Sequence, residues 1–152
     1  MIRYCLDQWN AHEKELREVI KYDRNINGCN YDYLIGLIVK HILNAPSDKY
    51  DHKWNLKNIT VIDDGDYQGT QLFLIPMDTY QPSEYDYLMS YVGYGSCSGC
   101  DTLQCIQDYR YDELPTDKQV DKFMLLCKDL ITNMIRPYNH GWRANIDFET
   151  VE

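Results

Sequence analysis

Between Asn58 and Gln107 three β-prone runs follow one another with no helix between the first and the last, and this stretch limits the fold more than any other. Ile59 to Ile62 alternate as a strand does, Gln71 to Ile75 carry apolar groups on both faces, and a third run covers Tyr87 to Tyr94. A parallel pair needs a long crossover, usually a helix, so these runs are expected to pair antiparallel with Gln71–Ile75 in the centre. The first connection is the acidic, glycine-punctuated turn DDGDYQGT, and the second is a connector containing Pro76 and Pro82. The third run leads into a Gly93-x-Gly95 bend and a Cys-x-x-Cys that opens onto a helix from about Asp101 to Tyr109.

The flanks are helical. Asn10 reads as an N-cap, and AHEKELREVIKY after it spaces Leu16, Val19 and Ile20 on one side while pairing Glu13 with Arg17 and Lys14 with Glu18. Asn27-Gly28 marks a break. Asn30 then caps YDYLIGLIVKHIL, in which Leu34, Ile38, His41 and Ile42 share a face, and this helix ends before Asn44-Ala45-Pro46. At the other end Thr116 and Gln119 form a capping box for a long helix bearing Val120, Phe123, Met124, Cys127, Leu130, Ile131 and Met134 at i, i+3, i+4, i+7 spacing. Pro137 stops it, and the tail HGWRANIDFETVE adds an edge strand or stays loose. The expectation is a single α+β domain over residues 1–152: a small antiparallel sheet of three strands, packed with N-terminal helices and a long C-terminal helix, with a metal-bound turn.

The metal expectation rests on Cys97 and Cys100, whose spacing in a glycine-containing turn lets two thiolates reach one tetrahedral ion. A structural zinc site normally has four protein ligands. Asp64 and Asp66, in a hairpin turn expected at the same end of the sheet, are the candidates to complete it, with His140, His52 and Cys105 as the other donors. Two thiolates and two carboxylates around Zn²⁺ leave a net charge of about −2, which calls for N–H donors around the site. The same acidic turn also reads simply as a hairpin loop, because Asp and Gly suit such turns. A calcium loop is rejected, since its twelfth position is Ile75 rather than Glu. Cys127 and His41 read as packing and helix-end residues.

Catalysis finds little support. There is no His-Glu-x-x-His, Gly-x-Ser-x-Gly or phosphate-binding glycine loop. The enzymatic alternative is thiol–disulfide redox chemistry at the Cys-x-x-Cys, although in thioredoxin-like chains that motif follows an early βαβ unit rather than a late hairpin. Composition supplies the rest. A formal net charge of −9 argues against direct contact with a nucleic-acid backbone and favours a basic partner. Fourteen tyrosines, among them Tyr67, Tyr80, Tyr85, Tyr87, Tyr109 and Tyr111 beside acids in polar stretches, fit a protein-binding face. No apolar run reaches the ~20 residues of a membrane span and the start lacks a signal-peptide apolar region, so the expected location is a cytoplasm, with the cysteines as thiols or metal ligands.

Two motifs carry a resemblance. DDGDYQGT at residues 63–70 followed by YGSCSGCDTLQ at 94–104 resembles a group of small phage and prophage proteins. The resemblance implies a gene of phage origin acting in a bacterial host cytoplasm. Small, acidic, non-enzymatic phage proteins often inhibit host defence, and they include anti-CRISPR proteins that bind the RNA-guided nuclease; by analogy of setting, the expected function is a zinc-binding inhibitor of that kind.

Overall fold

Helix α1, Arg3–Lys21, runs straight through Asn10, which is an exposed mid-helix residue and not the cap the sequence suggests. The buried stripe begins before it: Tyr4, Cys5, Gln8 and Trp9 continue into Leu16 and Ile20 at helical spacing, and burying that stripe outweighs a local capping preference. The computed structural model describes residues 2–96, 99–139 and 146–149. A 3-10 turn at Ile26–Gly28 makes the expected break, and α2, Tyr31–Ile38, starts after Asn30, whose side chain makes no capping hydrogen bond.

Helix α2 continues into a π-helical turn, Val39–Leu43. The carbonyls at and just after the end of this turn take side-chain donors from α1. Tyr4 Oη donates to the Leu43 carbonyl, and Gln8 Nε2 donates to those of Ile42 and Ala45, both at 3.0 Å. Tyr4 in turn accepts from the Trp54 indole at 3.1 Å and packs edge-on to Tyr50 and His52.

The sheet is as predicted. Strands β1 (Thr60–Asp63), β2 (Gly69–Pro76) and β3 (Tyr87–Tyr94) are antiparallel in the order β1-β2-β3. Phe73, Ile75 and Leu88 join the helical residues in one buried cluster. Ser90, on the same buried face of β3, donates to the Leu130 carbonyl at 2.6 Å, a group in the final turn of helix α4 (Asp117–Thr132) that has no helical donor. The Thr116–Gln119 capping box is present, and the predicted apolar face of α4 is buried. A short helix, α3 (Thr102–Gln107), precedes it.

The tail differs from an edge strand on that sheet. Strand β5 (Ile146–Glu149) pairs antiparallel with β4 (Arg136–Asn139) as a separate two-stranded ladder, and among the described residues the reciprocal Met89–Ile135 bridge links the start of β4 to β3. Among the described residues no helix is long and apolar enough to cross a membrane.

Candidate functional site

Register decides where the acidic turn lies. Gly69 pairs with Tyr94 at the end of the β2–β3 ladder, so the turn between β1 and β2 and the chain leaving β3 come to one end of the sheet. Tyr94 ties them together, its Oη donating to the Asp63 carboxylate and reaching the Gly65 carbonyl at 2.8 Å. Within the turn Asp63 and Asp64 are occupied by backbone: Asp63 Oδ1 accepts from Gly65 N at 3.0 Å, and Asp64 Oδ1 accepts from Thr70 N at 2.6 Å. A β-carbon on Gly65 would run into Gln68 and Gly69, so the close approach explains the glycine.

The electrostatics at this end are negative. The Tyr94 hydroxyl is pushed up to about 12, first by its hydrogen bond to Asp63, then by desolvation and by the charges of Asp63, Asp64 and Asp66. Asp63 moves the other way, held below the usual carboxylate range chiefly by Tyr94 and the Gly65 N–H.

Asp101 anchors the opposite wall. It is only 5% exposed and is the N-cap of α3, accepting from Gln104 N at 3.1 Å. It also accepts from Gly95 N at 3.3 Å and from Tyr31 Oη at 3.0 Å, while Tyr31 Oη accepts from Leu103 N at 3.2 Å. The first residue of α2 is thereby joined to the chain leaving β3. Burial is the main reason the Tyr31 hydroxyl titrates well above its ordinary range. Behind it lies a buried amide network: Gln107 Nε2 donates to the Ile26 and Cys29 carbonyls, both at 2.9 Å, and Gln119 Nε2 to Ile106 O at 2.9 Å and Asn27 Oδ1 at 3.0 Å.

These walls enclose an open groove of about 740 Å³. Its buried floor includes Tyr31, Asp101, Leu103 and Gln107, and its rim carries Asp32, Asp66, Tyr67 and Tyr111. Among the described residues no lysine, arginine or histidine lines it. Tyr67 is 82% exposed, and Tyr80, away from the groove, is 96% exposed; Tyr109 and Tyr111 are exposed as well, while Tyr85 and Tyr87 are half-buried. A concave, acidic, aromatic-lined surface with a fixed floor suits a cation better than a neutral or anionic ligand.

The candidate metal ligands are placed as follows. Asp64 and Asp66 are exposed in the turn, and Asp66 lines the groove. Cys100 is exposed and disulfide-bonded, and Cys97 lies outside the described residues. Gly95 brings the Cys100 segment close, since a β-carbon there would come within 2.5 Å of Cys100 Cβ. A disulfide sulfur is a poor metal ligand, so zinc binding through Cys100 requires the reduced chain. Among the described residues no three His, Cys, Asp or Glu side chains are grouped as a metal site. His52 packs in the aromatic cluster with Tyr4, Tyr50 and Trp54, Cys105 is an exposed free thiol, and His140 is outside the described residues. Cys5 and Cys127 are fully buried, with thiols pushed up to about 12 chiefly by burial; His41 is half-buried, and burial lowers its pKa.

Sequence reasoning missed Tyr31, Asp32 and Asp101 as parts of one site, because 70 positions separate Tyr31 from Asp101. The one local signal was Asp101 directly before a helical run, a capping pattern that says nothing of Tyr31. Compared with known protein families, with curated proteins and with solved structures, the chain matches none.

Proposed function

We propose that this chain is a non-catalytic inhibitor that binds a basic protein surface through the groove between the β1–β2 turn and the N-terminus of α2. The observation that carries the reading is the groove's composition, with Asp32, Asp66 and Asp101 beside four tyrosines and no cationic side chain among its described lining residues. Basic surfaces of that kind are what nucleic-acid-handling proteins present to phosphates, and an acidic chain that covers one displaces the nucleic acid without contacting it. The resemblance of DDGDYQGT and YGSCSGCDTLQ to small phage proteins supplies the setting: a bacterial host cytoplasm, with an RNA-guided CRISPR nuclease as the target class. Zinc belongs to the same proposal as a structural ion of the reduced chain, held by Cys97 and Cys100 and completed by Asp64 and Asp66.

The test is inhibition of DNA cleavage by RNA-guided nucleases, with binding measured by calorimetry at several salt concentrations. Asp32→Asn with Asp66→Asn removes two exposed charges and is expected to weaken binding about tenfold, at roughly 0.7 kcal/mol per charge, with an unchanged melting temperature. Full inhibition by that variant overturns the assignment of the groove. Metal content is measured on chain purified under reducing conditions without chelator or affinity tag. About one zinc per chain is the expected result, and Cys97→Ser with Cys100→Ser then lowers thermal stability and inhibition together.

One observation favours a second reading. Cys100 is disulfide-bonded and exposed one residue before the cap of α3, where a thiol–disulfide oxidoreductase would need a reactive sulfur. Absence of zinc together with insulin-disulfide reduction that Cys100→Ser abolishes would establish that enzyme in place of the inhibitor.

A further inference from the structure

Strand β1 is an edge. Among the described residues it pairs with β2 on one side and with no strand on the other, and all four of its residues are exposed, Val61 at 39% and Ile62 at 49%. The register shows which of its backbone groups are turned outward. Asp64 N donates to Thr70 O at 3.2 Å just beyond the strand, so hydrogen-bonded pairs fall at 64–70, 62–72 and 60–74, with Val61–Phe73 and Asp63–Gln71 between them. The N–H and C=O groups of Val61 and Asp63 therefore point away from β2, toward the free edge. Such edges are templates for a further strand, and proteins commonly guard them with lysine, proline or a bulge. Thr60-Val61-Ile62-Asp63 has no lysine or proline, and its register with β2 runs without a bulge.

We infer that an extended basic segment of the partner protein adds to β1 as an antiparallel strand, with arginine or lysine at alternate positions and β-branched residues between them. The inference rests on the reading of the acidic groove as the site for a basic surface, and it states the form in which that partner enters.

Alternation decides the pattern. Val61 is opposite buried Phe73, so it lies on the face that packs on the helices, and it lines the groove together with Asp66, Tyr67 and Tyr94. A residue opposite Val61 in an added antiparallel strand exchanges backbone hydrogen bonds with it and puts its side chain on that same face. Asp63 shares the face, and no cation lies among the groove's described lining residues, so a positive side chain beside the tyrosine rings is selected there. The next residue faces the other side, where Ile62, Leu72 and Tyr91 form a cross-strand row whose two ends are exposed, and an apolar side chain extends that row. Main-chain bonds supply affinity and the alternate side chains supply specificity, as in other cases of strand addition. A second copy of the chain fits this edge poorly, because its own β1 has no basic residue and both chains carry a net charge of −9.

The probe is an end-blocked synthetic peptide of alternating arginine and valine, added to the full chain and followed by amide hydrogen exchange in NMR spectra. The Val61 and Asp63 N–H groups are expected to exchange at least about tenfold more slowly with saturating peptide. Two N-methylated peptides keep the same charge. Methylating the arginines blocks the groups that face β1 and is expected to weaken binding roughly tenfold or more, whereas methylating the valines, whose N–H groups face away, leaves it within about twofold. Val61→Pro removes an outward donor and spares the β1–β2 ladder, so it should weaken binding of the parent peptide about tenfold. If that variant does not fold, the methylated pair decides alone. Equal affinity of the two methylated peptides, or unchanged exchange at Val61 and Asp63, overturns the added strand; the groove reading survives that result if Asp32→Asn with Asp66→Asn still weakens the parent peptide. Slowed exchange that Asp32→Asn with Asp66→Asn leaves unaltered would refute the groove reading and keep the added strand. Equally tight binding of a glutamate–valine peptide overturns the basic occupant. Slowing with protein concentration alone would assign the edge to a second copy and overturns the inference too.

Discussion

Replacing Asp101 tests whether the groove's floor is built as described. The carboxyl is 5% exposed and accepts from three donors, Tyr31 Oη, Gln104 N and Gly95 N. Asp101→Ala removes the cap of α3, worth ~1 kcal/mol, and leaves the Tyr31 hydroxyl and the Gly95 N–H buried without an acceptor at ~1 kcal/mol or more each. The sum is about 3 kcal/mol, large for one substitution. Asp101→Asn keeps one oxygen for Tyr31 and Gln104 but turns an amide donor toward Gly95 N–H, so about 1 to 2 kcal/mol is expected. Urea unfolding followed by circular dichroism gives both values, provided the slope with denaturant is unchanged. In a chain of 152 residues the alanine variant should melt roughly 10 °C lower. Tyr31→Phe completes a double-mutant cycle with Asp101→Asn, expected to show ~1 kcal/mol of coupling. A loss below about 1 kcal/mol in Asp101→Ala, or no coupling to Tyr31, would refute the tie between α2 and the chain leaving β3.

Two further outcomes test the hairpin end. Gly95→Ala places a β-carbon 2.5 Å from Cys100 Cβ and 2.7 Å from its carbonyl oxygen, so the loop must shift; a melting temperature several degrees lower is expected, and an unchanged one would show that the approach is not tight. The pH dependence has a definite sign. Asp63 is held below its unfolded value, so its contribution is complete above about pH 4 and is lost as pH falls through the folded pKa; carboxyl ¹³C titration should show a low Asp63 value that rises in Tyr94→Phe, and equal values would remove Tyr94 as the cause.

Periodicity made the fold legible where it was long. The face of α4 from Val120 to Ile131 repeats without interruption and its capping box is local, so the helix could be read with its start. The antiparallel pairing followed from the absence of a crossover helix and the central place of β2 from its apolar groups on both faces, and β3 was found at its expected bounds, Tyr87–Tyr94. The N-terminal boundary of α1 was misread because Asn10 is a good cap by type, while the evidence against a cap is the burial of Tyr4, Cys5, Gln8 and Trp9, which depends on partners elsewhere. The consecutive left-handed residues Asp108 and Tyr109, at φ 49° and 57°, were also invisible, because that conformation is unfavourable for tyrosine and no glycine marks it.

For the candidate site the division is between rim and floor. Local composition reported the rim: DDGD is acidic wherever it lies, and antiparallel pairing was enough to bring it to the same end of the sheet as Gly95. The floor is made of long-range hydrogen bonds, Tyr31 to Asp101, Gln107 to Ile26 and Gln119 to Asn27, whose partners lie 70, 81 and 92 positions apart. No pattern in a single sequence encodes such pairs. Yet the floor decides whether acidic residues act as a solvated turn or as a site, because binding to a surface whose walls are already fixed loses little ordering entropy. Weakening Asp101 should therefore lower the groove's affinity as well as the stability of the fold, while neutralising Asp32 and Asp66 should lower affinity alone.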